Sequence, residues 1–273
     1  MGSIHTFRWT NKNGKRSNGP VSLSMWILVA GGGVGVLYGL FGVGSAFATP
    51  VLALLGVQGL AAVVAPLPGL LPGSAAGAWS YSRRGKVDWS VARRTIVGGV
   101  PASIVGALTS RWIGGTVLLA LSGIVLLAVG VRVLRPAAGV QDDAATRRRR
   151  ANAAFVVVAA ATIGFASGLL ANGGGFLLVP LFLLMLGLDM NEAAGTSMVA
   201  AAALTVPTLV THAVLGDINW LVAGVFGAGL VPGALLGGAL AQRLPVHGLR
   251  KSFGTLLVVF AFWFVARQLL VAL

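Results

Sequence analysis

Long apolar blocks alternate with short polar stretches along almost the whole chain. The segments Val117–Val131 and Phe155–Ala171 carry no ionisable side chain. With their flanks, each approaches the roughly 20 residues that a helix needs to cross a bilayer. The pattern therefore predicts an all-α integral membrane protein with about eight transmembrane helices. The crossings are predicted to begin near Leu23, Gly59, Ser90, Gly115, Ala151, Met190, Leu221 and Gly248.

The apolar blocks form two related sets. The loop Gly85–Trp89 recurs as Gly216–Trp220 at an offset of 131 residues, and Pro101 is matched by Pro232 at the same offset. Two hydrophobic halves related by internal repetition are typical of secondary transporters, whose substrate site lies between the halves near the membrane midplane. The repetition therefore favours transport.

The predicted organisation follows from this repeat. Two homologous four-helix halves are expected, each with a Gly-rich broken helix. The segments are a polar cytoplasmic tail (1–21), transmembrane repeat 1 (22–135), a basic cytoplasmic linker (136–150) and transmembrane repeat 2 (151–273).

Composition and charge agree with a membrane location. Hydrophobic residues make up 56% of the chain, charged residues 10%, and the net charge is +14. In a soluble protein this charge would suggest nucleic acid, but here the basic residues stand between apolar blocks, where they orient a membrane protein. We therefore expect a lipid bilayer as partner and no nucleic acid.

The basic segments also predict a topology. The tail, the loop Arg83–Arg94 and the linker are expected to share the cytoplasmic face, which requires an even number of crossings in each half. An odd number would give inverted repeats, with the tail and the Arg147–Arg150 run on opposite faces. The even count is favoured because it gathers most basic residues on one side.

The residue inventory excludes several other classes. The chain has no cysteine, which rules out disulfides and thiolate metal sites. An enzyme would need a nucleophile with a base, a metal cluster or paired carboxylates, and no such motif is present. No cofactor or metal is predicted. The first apolar block runs past signal-peptide length, so it is expected to stay as an anchor in a bacterial inner membrane.

Each half has a glycine-rich interruption in its first apolar block. Gly39–Phe47 precedes Pro50, and Gly168–Phe176 precedes Pro180. Glycine lowers helix stability by about 1 kcal/mol relative to alanine, so both helices are expected to break there. Unwound backbone at membrane depth needs partners from protein or a water-lined cavity, and the next helix start attracts anions. The alternative is that these glycines only permit close helix packing.

The predicted binding site lies between the two breaks and has no fixed full charge. Helix ends stabilise an anion by about 0.3 to 2 kcal/mol each, which still allows release. Hydroxyl and amide side chains would add donors. The predicted binding residues are Gly42, Gly44, Ser45, Asn172, Gly173, Gly174, Gly175, Thr196 and Ser197.

Proton coupling has one candidate residue. All acidic residues fall in predicted loops or at segment ends, which argues against a buried carboxylate relay. His212 is the only histidine in or near the end of an apolar block. A hydrogen-bonded interfacial histidine is the ordinary interpretation of such a residue. If protons drive transport, His212 is the residue to test.

These features resemble the TauE/SafE family of sulfite and organosulfonate exporters. The resemblance covers nearly the whole chain from Leu23 onward. It rests on the doubled glycine-rich break before a proline, on the Gly-Xaa-Xaa-Asn/Asp-Trp loop of each half, and on the segments Pro101–Gly106 and Pro232–Gly237. It implies a multi-pass carrier of sulfur-containing or related small organic anions. Ser45 and Ala46 depart from the family's glycine pattern.

Alternative functions stay open at this level. An anion channel can also use broken helices, and a transporter of another small solute or a metal ion is the runner-up within transport. A membrane scaffold would leave the repeated breaks without a use. The residues do not fix the exact substrate, the direction of transport, the coupling ion or the oligomeric state, a homodimer included.

Overall fold

The computed structural model describes residues 20–42, 45–57, 59–113, 153–171, 173, 175–241 and 243, with isolated positions between 117 and 131 and between 252 and 263. All regular secondary structure in this part of the chain is helical. The helices are α1 (Pro20–Phe41), α2 (Ser45–Leu54), α3 (Gly59–Val64), α4 (Leu67–Ser82), α5 (Trp89–Ile113), α6 (Ala153–Leu169), α7 (Gly175–Leu184), α8 (Met190–Val214) and α9 (Trp220–Ala241).

Several of these helices are long and apolar enough to cross a membrane. Five candidate spans are found in the described residues, and α6 adds a shorter apolar helix. The predicted crossings near Gly115 and Gly248 fall mostly outside those residues. The five spans are Ser24–Phe41, Gly59–Ser82, Trp89–Ser110, Met190–Val214 and Trp220–Ala241.

Polar side chains fix the starts of α5, α8 and α9. The Asp88 carboxylate accepts hydrogen bonds from the backbone N–H groups at the start of α5. Asp189 accepts from the Glu192 N–H at 2.7 Å, and Asn219 accepts from the Val222 N–H at 3.2 Å. Such N-caps satisfy donors that have no partner within the helix. The helices α5, α8 and α9 consequently begin within one residue of their predicted starts.

Glycine stripes bring α1 and α9 into backbone contact. Gly31, Gly35 and Gly39 recur every four residues along α1, and a Cβ on any of them would overlap a carbonyl oxygen of α9. The stripe Gly229, Gly233 and Gly237 of α9 faces carbonyl oxygens of α1 in the same way. Small residues at this spacing let membrane helices approach closely. Glycines of α5 and α6 make the equivalent contact between those two helices.

Gly35→Ala is expected to destabilise the protein by about 1–3 kcal/mol, as overpacking of a dense interface does. The added Cβ would collide with the Leu230 carbonyl oxygen. Gly33→Ala is the matched control because no atom lies within 4 Å of its added Cβ, and helix propensity alone should raise its stability by up to about 1 kcal/mol. Thermal unfolding in detergent measures both. Equal unfolding temperatures for the two variants would show that the α1–α9 contact is not this close.

The contacts along the helices also give their directions. Gly31 lies beside Phe226 and Gly39 beside Ala234, so α1 and α9 run parallel. The contacts of Gly69 with Gly227 and of Gly73 with Leu230 make α4 parallel to α9. The helices α1, α4 and α9 therefore point the same way.

The other long helices point in the opposite direction. Gly77 lies against Met198 and Gly195 against Tyr81, so α4 and α8 are antiparallel. Leu204 of α8 lies against Gly99, and the Thr196 hydroxyl accepts from the Asp88 N–H, so α8 and α5 are parallel. The helix α6 runs parallel to α5, as the contacts of Gly98 with Val157 and of Gly106 with Phe165 show.

These directions differ from the expected even-count topology. Because α1 and α4 are parallel, the start of α1 and the loop Arg83–Arg94 lie at opposite ends of the bundle. The start of α6 lies at the same end as that loop. The hydropathy pattern predicts a single crossing from Leu23 to Val57, whereas the structure divides these residues between α1 and α2. The helices α2 and α3 together return the chain to the end of the bundle where α1 began. Equivalent helices of the two halves thus run in opposite directions. The tail and the linker themselves lie outside the described residues.

Candidate functional site at two facing helix breaks

The first break separates α1 from α2. The last turn of α1 closes with the Gly42 N–H donating to the Tyr38 carbonyl oxygen at 2.8 Å. Gly42 has φ +73°, a left-handed conformation that glycine adopts without steric cost. The helix α2 then begins at Ser45. The backbone therefore leaves the helical path at the first glycine-rich segment.

The second break separates α6 from α7. The helix α6 ends at Leu169, and α7 begins at Gly175. Between them Ala171 has φ +48° and Gly173 has φ +62°. Ala171 occupies the place that Gly42 has in the first break, although its side chain disfavours this conformation.

The two breaks meet inside the protein. A Cβ atom at Gly175 would lie only 2.5 Å from the Gly42 carbonyl oxygen, so the start of α7 abuts the end of α1. Both breaks also touch the middle of α8. A Cβ at Gly42 would lie 2.8 Å from the Ser197 hydroxyl oxygen, and one at Gly173 would lie 2.5 Å from the Thr205 hydroxyl oxygen. Ser197 and Thr205 are fully buried.

Comparison with known proteins identifies the family. The protein family described as "Sulfite exporter TauE/SafE" matches residues 27–264, which make up most of the chain. The chain belongs to the TauE/SafE family. With its candidate spans, this makes it a multi-pass membrane protein.

The TauE/SafE chain is also similar to bacterial proteins named as membrane transporters. A "Probable membrane transporter protein" of Xylella fastidiosa (strain Temecula1 / ATCC 700964) is 33% identical over 107 residues, which cover 38% of this chain and 41% of the relative. "Probable membrane transporter protein YunE" of Bacillus subtilis (strain 168) is 35% identical over 82 residues, covering 30% and 29%. The matched part thus spans about two fifths or less of these relatives. No solved structure gives a significant match.

The structure brings some of the predicted site residues of this TauE/SafE protein together. Gly42, Gly173 and Gly175 line the junction of the two breaks, and Ser197 faces Gly42. Their role in binding stays a prediction. Gly44, Asn172 and Gly174 lie outside the described residues, and so does the side chain of Ser45.

Thr196 has a different task from its neighbour Ser197. The Thr196 hydroxyl oxygen accepts a hydrogen bond of 2.9 Å from the Asp88 N–H, which ties the loop before α5 to α8. Adjacent helix residues do not share a face, so Ser197 points toward the break while Thr196 points toward this loop.

Sequence reasoning missed Thr205 and Ser167. Thr205 follows Ser197 by eight residues, a spacing that places both on one helical face, and this spacing was the available signal. Ser167 stands in the last turn of α6, fully buried, with a hydroxyl that has no hydrogen-bond partner among the described residues. No sequence signal distinguished Ser167 from a packing serine.

The hydroxyl groups of Ser197 and Thr205, beside the breaks, already donate hydrogen bonds within α8. Ser197 donates to the Ala194 carbonyl oxygen at 2.8 Å, and Thr205 donates to the Ala201 carbonyl oxygen at 2.7 Å. These bonds within α8 satisfy both hydroxyls. A bound anion would have to attract them away from the helix backbone.

Ala171→Gly is expected to stabilise the TauE/SafE protein by about 1 kcal/mol, because glycine removes the cost of a left-handed backbone at an alanine. Ala161→Gly, in the middle of α6, should lower stability by a similar amount through helix propensity. Thermal unfolding in detergent compares the two. A loss of stability in both variants would contradict the left-handed geometry of the second break.

His212 lies near the end of α8 and away from the breaks. Its Nδ1 is 3.0 Å from the Asp217 carboxylate, and the imidazole is fully buried. The structure therefore places it in a hydrogen-bonded pair at the junction of α8 with the following loop.

A groove with exposed arginines lies between α4 and α9. The Arg83 guanidinium stands 5.9 Å from the centre of the Trp79 ring. This groove has a volume of about 520 Å³ and is lined by Ala76, Trp79, Ser80, Arg83, Arg84 and Leu235. Its arginines and Trp79 are exposed at the bundle end. The groove is thus an open site of full charge, in contrast to the buried junction of the breaks.

Proposed function

We propose that this protein is a secondary transporter that moves small anions across the bacterial inner membrane by alternating access. Sulfite, organosulfonates and related sulfur-containing or carboxylate anions are the proposed substrates, bound where the two helix breaks meet. The observation that carries the proposal is the approach of Gly175 to the Gly42 carbonyl oxygen beside the middle of α8.

The chemistry of the junction suits a weakly held anion. The first N–H groups of α7 have no carbonyl partner within their own helix, and they form its positive end. Gly42, Gly173 and Gly175 are buried, so these amides act in a medium of low dielectric constant, where their attraction for an anion is stronger than in water. A site built from amides and hydroxyls holds an anion without a permanent counter-charge and can release it.

The closed junction suggests how the site opens. The Gly42 carbonyl oxygen lies where a side chain at Gly175 would begin, against the start of α7. Movement of one half against the other would withdraw this oxygen and expose the α7 amides to an anion. Oppositely directed repeats favour such an exchange, because the two halves can swap conformations across the membrane.

Charge supports an absolute orientation. The loop Arg83–Arg94 lies at the same end as the start of α6, which follows the Arg147–Arg150 run in sequence. The loop Gly216–Asn219, at the other end, has no basic residue. By the positive-inside rule we propose that the Arg83–Arg94 end faces the cytoplasm.

Counterflow in proteoliposomes tests the proposed function. Vesicles loaded with unlabelled anion should accumulate labelled sulfite or alkyl sulfonate transiently, with saturable kinetics. Parallel runs with small carboxylates define the substrate class, and empty liposomes supply the background. Absence of counterflow with every anion would overturn the proposal, and a non-saturating flux with single-channel current steps would replace the carrier with a channel.

A further inference from the structure

The pair His212–Asp217 leaves one nitrogen atom without a partner. The Asp217 carboxylate accepts hydrogen bonds and faces Nδ1 at 3.0 Å. In the neutral imidazole the proton therefore belongs on Nδ1, and Nε2 carries a lone pair. Nε2 is buried and has no hydrogen-bond partner among the described residues. Buried polar atoms are nearly always paired in native proteins, so this lone pair needs an explanation.

Closure of the loop after α8 does not explain why His212 has an unpaired Nε2 atom. The loop after α8 is closed by backbone bonds, with the Asp217 N–H donating to the His212 carbonyl oxygen at 3.0 Å. The equivalent loop of the first half has the same bond, from the Lys86 N–H to the Tyr81 carbonyl oxygen at 3.0 Å. There Tyr81 replaces the histidine and Lys86 the aspartate. The loop thus forms without an imidazole–carboxylate pair.

The other charged groups near α8 lie mostly at its opposite end. The described parts of α6 and α7 have no titratable side chain, and Tyr38 is the only one in α1. Tyr81 of α4 packs against Gly195, at the start of α8, and Arg93 and Arg94 stand near the start of α5. Arg111, near the end of α5, is at the His212 end of the bundle.

We propose that His212 binds one proton at Nε2 for each anion transported, so that the protein is a proton–anion symporter. This inference rests on the proposed function. His212 is seven residues beyond Thr205 on α8, or about 10 Å along the helix. Protonation of Nε2 adds one positive charge at this end of α8, and this charge favours the presence of an anion at the breaks.

The proton step is simple in chemical terms. A proton from water joins the Nε2 lone pair, while Nδ1 keeps its own proton. No covalent bond breaks. The Asp217 side chain is 11% exposed, so the pair reaches water at the end of the bundle that bears the Gly216–Asn219 loop. Imidazole is a common proton shuttle in proteins, which suits a proton taken up and released in each cycle.

His212→Gln tests the inference. Glutamine keeps a donor toward Asp217 but does not titrate. In proteoliposomes, uptake of an alkyl sulfonate, whose charge does not change in this range, should be about tenfold faster at about pH 6 than at about pH 8 in the wild type. The variant should transport at a rate independent of pH and should no longer move protons, as a pH dye outside the vesicles would show. His247→Gln is the matched control and should behave as wild type.

The outcomes separate the two proposals. Wild-type pH dependence and proton movement in His212→Gln would overturn the symport inference and leave the anion carrier intact. Counterflow retained in the variant, with the proton signal lost, would support the inference. Absence of anion flux in the wild type would overturn the proposed function itself, and the symport inference with it.

Discussion

Gly175→Ala is expected to lower alkyl sulfonate counterflow by about tenfold to 100-fold, because overpacking at a tight contact costs about 1–3 kcal/mol. The new Cβ would lie 2.5 Å from the Gly42 carbonyl oxygen and 3.6 Å from the Ala201 Cβ. Gly175 is in helical conformation at the start of α7, so the effect is steric. The two breaks could then no longer close on each other.

Gly224→Ala is the matched control for this substitution. Gly224 belongs to α9, and no atom lies within 4 Å of its added Cβ, so its counterflow should equal the wild-type rate. Protein yield and a monodisperse elution profile in detergent establish that Gly175→Ala is folded. Wild-type kinetics in a folded Gly175→Ala protein would mean that closure of the breaks plays no part in transport.

The double variant Ser197→Ala, Thr205→Val is expected to raise the KM for alkyl sulfonate by about tenfold to 100-fold, since a hydrogen bond to a charged group is worth about 1.5–3 kcal/mol. Both hydroxyls lie beside the breaks and are fully buried. Each one donates to its own helix in the structure, so their removal should affect anion binding more than the structure without a bound anion. The maximal rate should change much less than KM.

Thr208→Val is the control for loss of a buried hydroxyl. Thr208 also donates within α8, to the Leu204 carbonyl oxygen at 3.0 Å, but it is not among the atoms nearest to a Cβ added at Gly42 or Gly173. Its KM should stay at the wild-type value. Equal changes in KM for Thr208→Val and for the double variant would indicate a general effect on α8 and would contradict binding at the breaks.

The sequence predicted where the helices would be interrupted, because glycine clusters change backbone energetics locally. Gly42 and Gly173 have left-handed conformations that need no long-range information to anticipate. The meeting of Gly175 with Gly42 was a hypothesis only. This contact depends on the packing of α1 against α9 and of α6 against α5. Glycine spacing indicates that a helix can pack closely, but it does not indicate which helix is the partner.

Topology was harder to predict than the breaks. Hydropathy detects apolar length, and α1 with α2 forms one continuous apolar block that reverses within the membrane. The number of crossings therefore could not be counted from apolar blocks. The structure places the start of α1 and the Arg83–Arg94 loop at opposite ends of the bundle, whereas the tail lies outside the described residues. The basic residues remain informative, because the structure places that loop and the start of α6 at one end.

Side-chain roles at the site depended on helical phase. Thr196 and Ser197 were predicted together, but neighbouring residues on a helix point about 100° apart, and only Ser197 faces a break. The pairing of His212 with Asp217 crosses the end of α8 into the next loop, a geometry that a helical pattern does not contain. Neither side-chain role could be predicted without knowing where α8 ends and how it is rotated about its axis.

A structure with 2-bromoethanesulfonate tests the central claim most directly, since the bromine atom identifies the bound anion without ambiguity. The account predicts the sulfonate at the junction of the breaks, within hydrogen-bond distance of the α7 amide groups and of the Ser197 or Thr205 hydroxyl. The Gly42 carbonyl oxygen should have moved away from Gly175. A sulfonate found only in the Arg83–Arg84 groove, with the breaks still in contact, would contradict it.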